Sequence, residues 1–218
     1  MSKDVLFQLT DLFFSFNHKP ALQIENLSLS SGKIYVLMGP NGSGKTTLLK
    51  ILNGLLKVNK GMVSYKGSDI QTEQYIKIRQ ETAFVHQNPL LLTGTVEKNL
   101  SFGMKIKKIP EKEFIQRLKE SIDSMGLQGY EKRKHTDLSI GEIQRIAISR
   151  AISLSPVVLL LDEPTANLDQ ESIERLELII KNMKDQGKTV IFSSHNLLFG
   201  SRMQDEVIVL DKGKIVNN

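Results

Sequence analysis

Apolar residues recur along this chain with two spacings, and stretches of the two kinds alternate. Short runs that alternate or are continuously apolar predict strands, whereas longer stretches with apolar residues three and four apart predict helices. This order of elements is typical of an α/β fold. The predicted strands cover residues 5–10, 12–16, 22–29, 34–38, 61–65, 82–85, 157–161, 189–192, 205–210 and 214–216, and the predicted helices cover residues 45–55, 96–104, 111–125, 141–154 and 171–184.

The predicted strands are of two types. Stretch 22–29 alternates apolar and polar residues, as an antiparallel strand with one buried face would. Stretch 157–161 is continuously apolar, which suits a parallel strand covered on both faces. We therefore predict a core of mainly parallel sheet together with an N-terminal antiparallel β subdomain.

A long helical stretch interrupts this pattern between about residues 95 and 154. Within it, Ile115, Leu118, Ile122 and Met125 would share one face of a helix. No long linker or internal repeat divides the chain. We predict one domain, residues 1–218, with a helical subdomain inserted at about 90–154.

The clearest chemical motif lies between the predicted strand 34–38 and the helix that follows. Residues 39–47 fit the phosphate-binding pattern G-x-x-x-x-G-K-[ST], which indicates a P-loop NTPase core. The glycines let backbone N–H groups approach a phosphate, Lys45 can reach the β- and γ-phosphates, and Thr46 can bind Mg²⁺. A chance glycine-rich turn is the alternative, and the flanking strand and helix disfavour it. The predicted ATP contacts here are Gly39, Pro40, Asn41, Gly42, Ser43, Gly44, Lys45, Thr46 and Thr47.

Two carboxylates, Asp162 and Glu163, directly follow the apolar run 157–161. The carboxyl end of a buried parallel strand is where a nucleotide and its metal bind in such sheets. Asp162 would hold Mg²⁺, directly or through water, and Glu163 would orient or deprotonate the attacking water. The alternative is that the pair caps a following helix.

Composition and charge exclude only a few classes of protein. The chain is 40% apolar and 24% charged, as in ordinary globular proteins, and its net charge of +5 suits a nucleotide, a membrane surface or mere solubility. Basic clusters at 105–108 and 132–134 lack interleaved aromatic residues, so we expect no nucleic-acid partner. The chain contains no Cys, which excludes disulfides and fits a reducing compartment. We see neither a signal peptide nor an apolar run near the ~20 residues of a membrane span.

Three further stretches give the chain a specific resemblance. Residues 138–145 precede Asp162, residues 166–169 follow it, and His195 comes after the predicted strand 189–192. Together with the P-loop, they make the chain similar along nearly its whole length to the nucleotide-binding subunits of ATP-binding cassette (ABC) transporters. The resemblance identifies 39–47 as the Walker A loop, 138–142 as the signature motif and 166–169 as the D-loop.

The resemblance also implies roles for single residues. Phe16 would stack on adenine, Gln87 would sense Mg²⁺ and the membrane partner, and His195 would contact the γ-phosphate. Each role has an alternative: Phe16 could pack in the core, Gln87 could be a turn residue before Asn88-Pro89, and His195 could simply begin a helix after Ser193-Ser194.

The family mechanism implies that two copies, or one copy and a homologous ATPase, enclose two ATP molecules. Ser139 and Gly141 of one copy would face the γ-phosphate held by Lys45 of the other, and Asp169 would link the two sites. Glu163 would polarise the water. Hydrolysis of ATP, with Mg²⁺, is therefore the expected activity.

Two residues depart from the usual signature motif. Ile140 stands where the family usually has Gly, and Glu142 where Gln is common and Glu occurs at times. Gly141 is retained, so close approach of the backbone to a phosphate remains possible. We expect Ile140 to tune closure of the dimer without abolishing hydrolysis.

The resemblance implies that the chain docks on separate integral membrane permease subunits, at the cytoplasmic face of the membrane. Residues 90–109 would form the groove for a permease helix, with 90–92, Phe102 and Met104 as a docking patch or, alternatively, as core. Stretches 87–96 and 162–169 look most like ATPases of oxyanion importers (tungstate, molybdate or phosphate), which can also carry an extracytoplasmic substrate-binding protein. The rival functions are an ABC exporter or lipoprotein-release ATPase, a soluble ABC ATPase, and a P-loop kinase.

Overall fold

The computed structural model describes residues 5–70 and 74–216. Its strands are β1 (Val5–Phe16), β2 (Lys19–Ser30), β3 (Ile34–Met38), β4 (Lys60–Tyr65), β5 (Ser68–Asp69), β6 (Thr82–Val85), β7 (Val158–Leu161), β8 (Thr189–Ser193), β9 (Glu206–Asp211) and β10 (Lys214–Val216). Its α-helices are α1 (Lys45–Leu52), α2 (Gln74–Glu81), α3 (Val96–Ile106), α4 (Glu111–Ser124), α5 (Ile140–Ile152), α6 (Gln170–Asp185) and α7 (Leu197–Met203), with a short 3₁₀ helix at His135–Asp137.

The central sheet has six strands in the order β10-β9-β3-β8-β7-β6. All neighbouring pairs are parallel except β9 and β10. Strands β3, β7 and β8 consist almost entirely of buried apolar residues because both faces of the sheet are covered, one apolar cluster lying on each side. The parallel strands bring the loops after β3, β6, β7 and β8 to one edge of the sheet. The α/β class and the mainly parallel core are thus confirmed.

The antiparallel sheet has the order β2-β1-β4-β5. The two short strands predicted at 5–10 and 12–16 are a single strand, β1, interrupted by Asp11 in the left-handed region at φ 48°. The register between β1 and β4 shifts at this point, as a β-bulge requires. Gly61 lies so close that a Cβ there would come within 2.2 Å of the Asp11 carbonyl oxygen, so a side chain at residue 61 would displace the strand.

Helices α3, α4 and α5 occupy the chain between β6 and β7. The residues predicted to share one face of α4 differ in burial: Ile122 and Met125 are buried and Leu118 packs against them, but Ile115 is 61% exposed. Spacing alone placed Ile115 on this face, although α4 contributes only its C-terminal half to the core. Met104 is fully buried in α3, so it belongs to the core and not to a docking patch.

Several short elements were not predicted. Helix α2 is polar along most of its length, and Ile78 is its fully buried apolar residue. Helix α7 has seven residues and includes Gly200, where a Cβ would come within 2.7 Å of Met38 Cε. Both are too short or too polar for a hydrophobic period to be visible in the sequence.

Candidate functional site

A cleft of about 510 Å³ opens at the carboxyl edge of the parallel sheet. The loops after β3, β6, β7 and β8 contribute to it, and one aromatic residue of the antiparallel sheet closes its side. It contains Pro20 and Ala21, which were not predicted, and most of the predicted site residues. These are Phe16, Asn41, Gly42, Ser43, Gly44, Lys45, Thr46, Thr47, Gln87, Asp162, Glu163 and His195.

The glycines of the P-loop have positive φ angles, which other residues rarely adopt. Gly39 has φ 138° and Gly44 has φ 107°, both outside the range comfortable for other residues. Gly44 is the N-cap of α1, and a Cβ on it would come within 2.5 Å of Leu22 Cδ2. The loop therefore packs closely against β2 at the start of α1, and the first N–H groups of a helix can bind an anion there.

The Lys45 side chain is buried and folds back over its own loop. Its Nζ donates to the carbonyl oxygens of Gly39 at 2.7 Å and Pro40 at 3.2 Å. Burial lowers the pKa of Lys45, and the nearby carboxylates of Glu163 and Asp162 oppose that shift. The ammonium group is therefore held beside the loop, in reach of an anion that enters it.

Asp162 accepts two hydroxyl hydrogen bonds at the end of β7. Thr46 Oγ1 donates to Asp162 Oδ2 at 2.8 Å, and Ser193 Oγ donates to Asp162 Oδ1 at 2.8 Å. Ser193 Oγ also accepts from the Glu163 N–H at 2.8 Å. Ser193 was missed as a positioning residue. Its position could have indicated this role, because Ser193 ends β8, and side chains at the carboxyl ends of adjacent parallel strands lie close together.

Glu163 is buried and lies in the left-handed region at φ 47°. This backbone costs on the order of 1 kcal/mol for a non-glycine residue and is typical of functional sites. The His195 N–H donates to Glu163 Oε2 at 3.1 Å, and His195 Nε2 lies 3.2 Å from Oε1. The second contact is within ion-pair distance but does not meet the geometry of a hydrogen bond.

The capping alternatives for these residues are wrong. Asp162 and Glu163 cap no helix, because α6 begins at Gln170 with Asp169 as its N-cap. His195 precedes Asn196, whose side chain caps α7 by accepting from the Phe199 N–H.

Phe16 and Gln87 both line the cleft. Phe16 is 49% exposed and packs edge to face on buried Phe14, with 4.8 Å between ring centroids. The core alternative for Phe16 is therefore not supported. Gln87 lies two residues after the end of β6, is exposed, and lines the same cleft as Asp162 and Glu163.

The signature and D-loop residues lie elsewhere. Ser139 is the N-cap of α5 and is exposed, and Asp169 caps α6 by accepting from the Ser172 N–H at 2.9 Å. A Cβ on Gly141 would come within 2.7 Å of the Asn167 carbonyl oxygen, so this glycine lets the D-loop approach α5 within one chain. Within the described residues, neither Ser139, Gly141 nor Asp169 lines the cleft around Lys45.

The residues present fit ATP and Mg²⁺. Ser43 Oγ is buried without a hydrogen-bond partner, and the Cβ position of Gly42 is open space, as expected for a loop that wraps a phosphate. Thr46 and Asp162 offer a hydroxyl and a carboxylate side by side, and Mg²⁺ is usually held by one or two protein oxygens together with phosphate oxygens.

Comparison with known proteins agrees with this geometry. The profile of the ABC transporter family matches residues 22–166, more than half of the chain. The energy-coupling factor transporter ATP-binding protein EcfA of Methanothermobacter thermautotrophicus is 37% identical over 216 residues, which cover 97% of this chain and 70% of that protein. The tungstate uptake system ATP-binding protein TupC of Peptoclostridium acidaminophilum is 34% identical over 208 residues, which cover 95% of each protein.

A solved structure extends the similarity to the whole fold. The dimeric, post-hydrolysis state of the ATP-binding cassette MJ0796, bound to ADP and Pi, matches with a TM-score of 0.84 at 28% identity and covers 97% of both chains. The chain therefore belongs to the ABC transporter family, as an ATP-binding subunit that hydrolyses ATP with Mg²⁺ as the associated ion.

Proposed function

We propose that this protein energises transport, and specifically import, through separate membrane subunits by ATP-driven closure of a dimer. The observation that carries the proposal is the separation of Ser139, Gly141 and Asp169 from the cleft that holds Lys45 and Glu163. A second copy, or a homologous ATPase, would bring these residues to the open side of the cleft. A helix N-terminus with a serine hydroxyl suits a γ-phosphate there.

Within one cleft, the side chains divide the work of hydrolysis. Phe16 would stack on the adenine, Lys45 and the P-loop amides would hold the β- and γ-phosphates, and Gln87 would contact the metal and the water. Bound to Thr46 and Asp162, Mg²⁺ would neutralise charge that develops on the phosphate oxygens. The Glu163 carboxylate would orient the attacking water and accept its proton as the water oxygen bonds to the γ-phosphorus. The bond from that phosphorus to the β,γ-bridging oxygen would break, and this oxygen would leave on ADP with the bonding electron pair.

His195 completes this arrangement from β8. Its N–H already holds one oxygen of Glu163, and its ring lies beside the other. We assign it to the γ-phosphate, where an imidazole donor can stabilise the transferring group while its backbone fixes the base.

A second groove, of about 510 Å³, lies between β6, α3 and α5 and fits a permease segment. Leu90 is 86% exposed at its rim and Phe102 is also exposed. Among the residues that the structure describes, those that line this groove include Arg79 and Arg150 and none that is acidic. An amphipathic helix of a membrane subunit is the occupant we propose, which places the protein on the cytoplasmic face of the membrane.

We further propose that residues 1–218 form one nucleotide-binding domain, with its helical subdomain at about 90–154. In the part of the chain that the structure describes, no helix has the length and apolar content of a membrane span. Substrate selection would rest with the permease and, in an importer, with an extracytoplasmic substrate-binding protein.

Co-purification tests this function. The tagged chain is isolated from gently solubilised membranes of its own cell, and its companions are identified by mass spectrometry, with the Leu90→Asp variant as a matched control. We expect a multi-span permease that the variant loses, together with a substrate-binding protein. A permease without any binding protein would favour an exporter, whereas ribosomal or DNA-repair proteins would contradict transport.

A further inference from the structure

The signature motif of this chain is held by a charged pair at the start of α5. Arg133 Nη1 donates to Glu142 Oε1 at 2.8 Å, and Nη2 lies 3.4 Å from Oε2. Arg133 Nη2 also donates to the Asp137 carbonyl oxygen at 2.8 Å, and the guanidinium lies 4.4 Å from the centroid of the Tyr130 ring. The pair is therefore fixed in direction as well as in distance.

Glu142 in turn fixes Ser139. Glu142 Oε2 accepts from the Ser139 N–H at 2.7 Å, and Ser139 Oγ accepts from the Glu142 N–H at 3.3 Å, which together form a capping box. Burial alone would raise the pKa of Glu142, but the hydrogen bonds from Ser139 and Arg133 bring it down to about 2. The carboxylate is thus ionised at neutral pH.

Arg133 is itself anchored by backbone contacts outside the signature motif. Its carbonyl oxygen accepts from the Val96 N–H at 3.1 Å, at the start of α3. The next residue, Lys134, forms a β-bridge with Thr95, the N-cap of α3. The guanidinium therefore projects towards Glu142 from a fixed backbone.

An ionised Glu142 conflicts with the function proposed for this helix start. A carboxylate in the first turn stabilises the helix dipole, but it also repels any other anion that approaches the same N–H groups. The γ-phosphate of ATP on a second copy would be such an anion. Glutamine, which is common at this position in the family, would form the cap without the charge.

We propose that Arg133 is a positioning residue for ATP-driven dimerisation: it neutralises Glu142 and holds the Ser139 cap ready for the γ-phosphate of ATP bound to the opposite copy. This inference rests on the proposed function. It predicts that loss of Arg133 is harmful chiefly because Glu142 is then an unpaired charge, so that removal of that charge restores function.

The test is a double-mutant cycle in the Glu163→Gln background, where bound ATP is preserved. The ATP concentration that gives half-maximal dimer is measured by analytical ultracentrifugation for the reference, R133Q, E142Q and R133Q/E142Q. The matched control is R117Q, which breaks the Arg117–Glu113 pair on α4 of the same helical region.

We expect R133Q to raise the required ATP concentration about tenfold, as is typical for a partly buried charge at a helix terminus. The double variant should return to within about threefold of the reference, and R117Q should not differ from it. R133K should need an ATP concentration close to that of the reference, because lysine keeps the positive charge beside Glu142. A double variant as impaired as R133Q, or an R133Q variant equal to R117Q, would overturn the proposal.

A second measurement separates this inference from the proposed function. Amide hydrogen exchange of the ATP-free protein reports on the Ser139 N–H directly. We expect faster exchange at Ser139 in R133Q and no change in R117Q, with unfolding temperatures checked for each. If the reference does not dimerise with ATP, the proposed function fails, whereas unchanged exchange in R133Q refutes the role of Arg133 by itself.

Discussion

At the scale of single residues, the site depends on a few side chains whose geometry is set by neighbouring strands. The strained backbone of Glu163 is held by Ser193, which accepts from its N–H, and its carboxylate is held by the N–H of His195. Such strain is maintained only where the surroundings fix it from several directions. The carboxylate is therefore oriented before a substrate arrives.

Replacement of Glu163 by glutamine tests its role as the base. The amide matches the carboxylate in size but cannot accept a proton at neutral pH, so ATP binding should persist while turnover falls by about 100-fold or more. Steady-state phosphate release and equilibrium binding of ATP measure the two effects. Glu174→Gln, on α6, is the matched control, and equal turnover of the two variants would remove Glu163 from this role.

The residue scale also shows where a sequence is informative and where it is not. The P-loop and Asp162–Glu163 were predictable because local spacing carries the chemistry of both. Ser193 was not recognised because its hydrogen bonds to Asp162 and Glu163 exist only once β7 and β8 lie side by side. The exposure of Ile115 could not be predicted, because spacing shows which residues share a face but not whether anything covers that face.

At the scale of elements, the segment between Gln87 and α3 is held by one buried side chain. Asn99 Oδ1 accepts from the Leu92 N–H at 2.7 Å, and its Nδ2 donates to the carbonyl oxygens of Leu92 and Thr95 at 3.0 Å each. Asn99 thus substitutes for a regular backbone ladder in a loop whose polar groups are partly removed from water.

Asn99→Ala should therefore lower the free energy of unfolding by about 2–3 kcal/mol, because the N–H and the carbonyl oxygen of Leu92 lose their partner. Thermal and urea unfolding measure the change. Asn182→Ala, at an exposed position of α6, should shift stability by less than about 0.5 kcal/mol. Equal shifts in the two variants would mean that Asn99 does not hold this loop.

The elements themselves were predicted unevenly, for physical reasons. Strands β3, β7 and β8 were identified because residues buried on both faces leave a continuous apolar run. Helices α2 and α7 were missed because short or mostly polar helices depend on tertiary packing and not on a period of their own. The bulge at Asp11 split one strand into two in the prediction, since it changes which side of β1 faces inward.

At the scale of the whole molecule, three of the predicted site residues, Ser139, Gly141 and Asp169, lie on a surface outside the cleft that holds Lys45. Ile140 lies on that surface, 67% exposed at the first position of α5. Because this apolar side chain is largely exposed, packing within its own chain does not account for an isoleucine at this position. In a closed dimer it would sit at the contact between the copies.

Ile140→Gly consequently tests whether the departure from the usual signature motif tunes closure. The change removes apolar contact area from the proposed dimer seam and loosens the first turn of α5, because glycine costs about 1 kcal/mol within a helix. We expect dimerisation of the Glu163→Gln protein to require about three- to tenfold more ATP, while ATP binding to the monomer stays unchanged.

Ile115→Gly, equally exposed but on α4, controls for the helix cost alone. If Ile140→Gly dimerises at the same ATP concentration as Ile115→Gly, the side chain does not contribute to the seam. If it dimerises at lower concentration, Ile140 is there to restrain closure, and ATP turnover should then rise in the same variant.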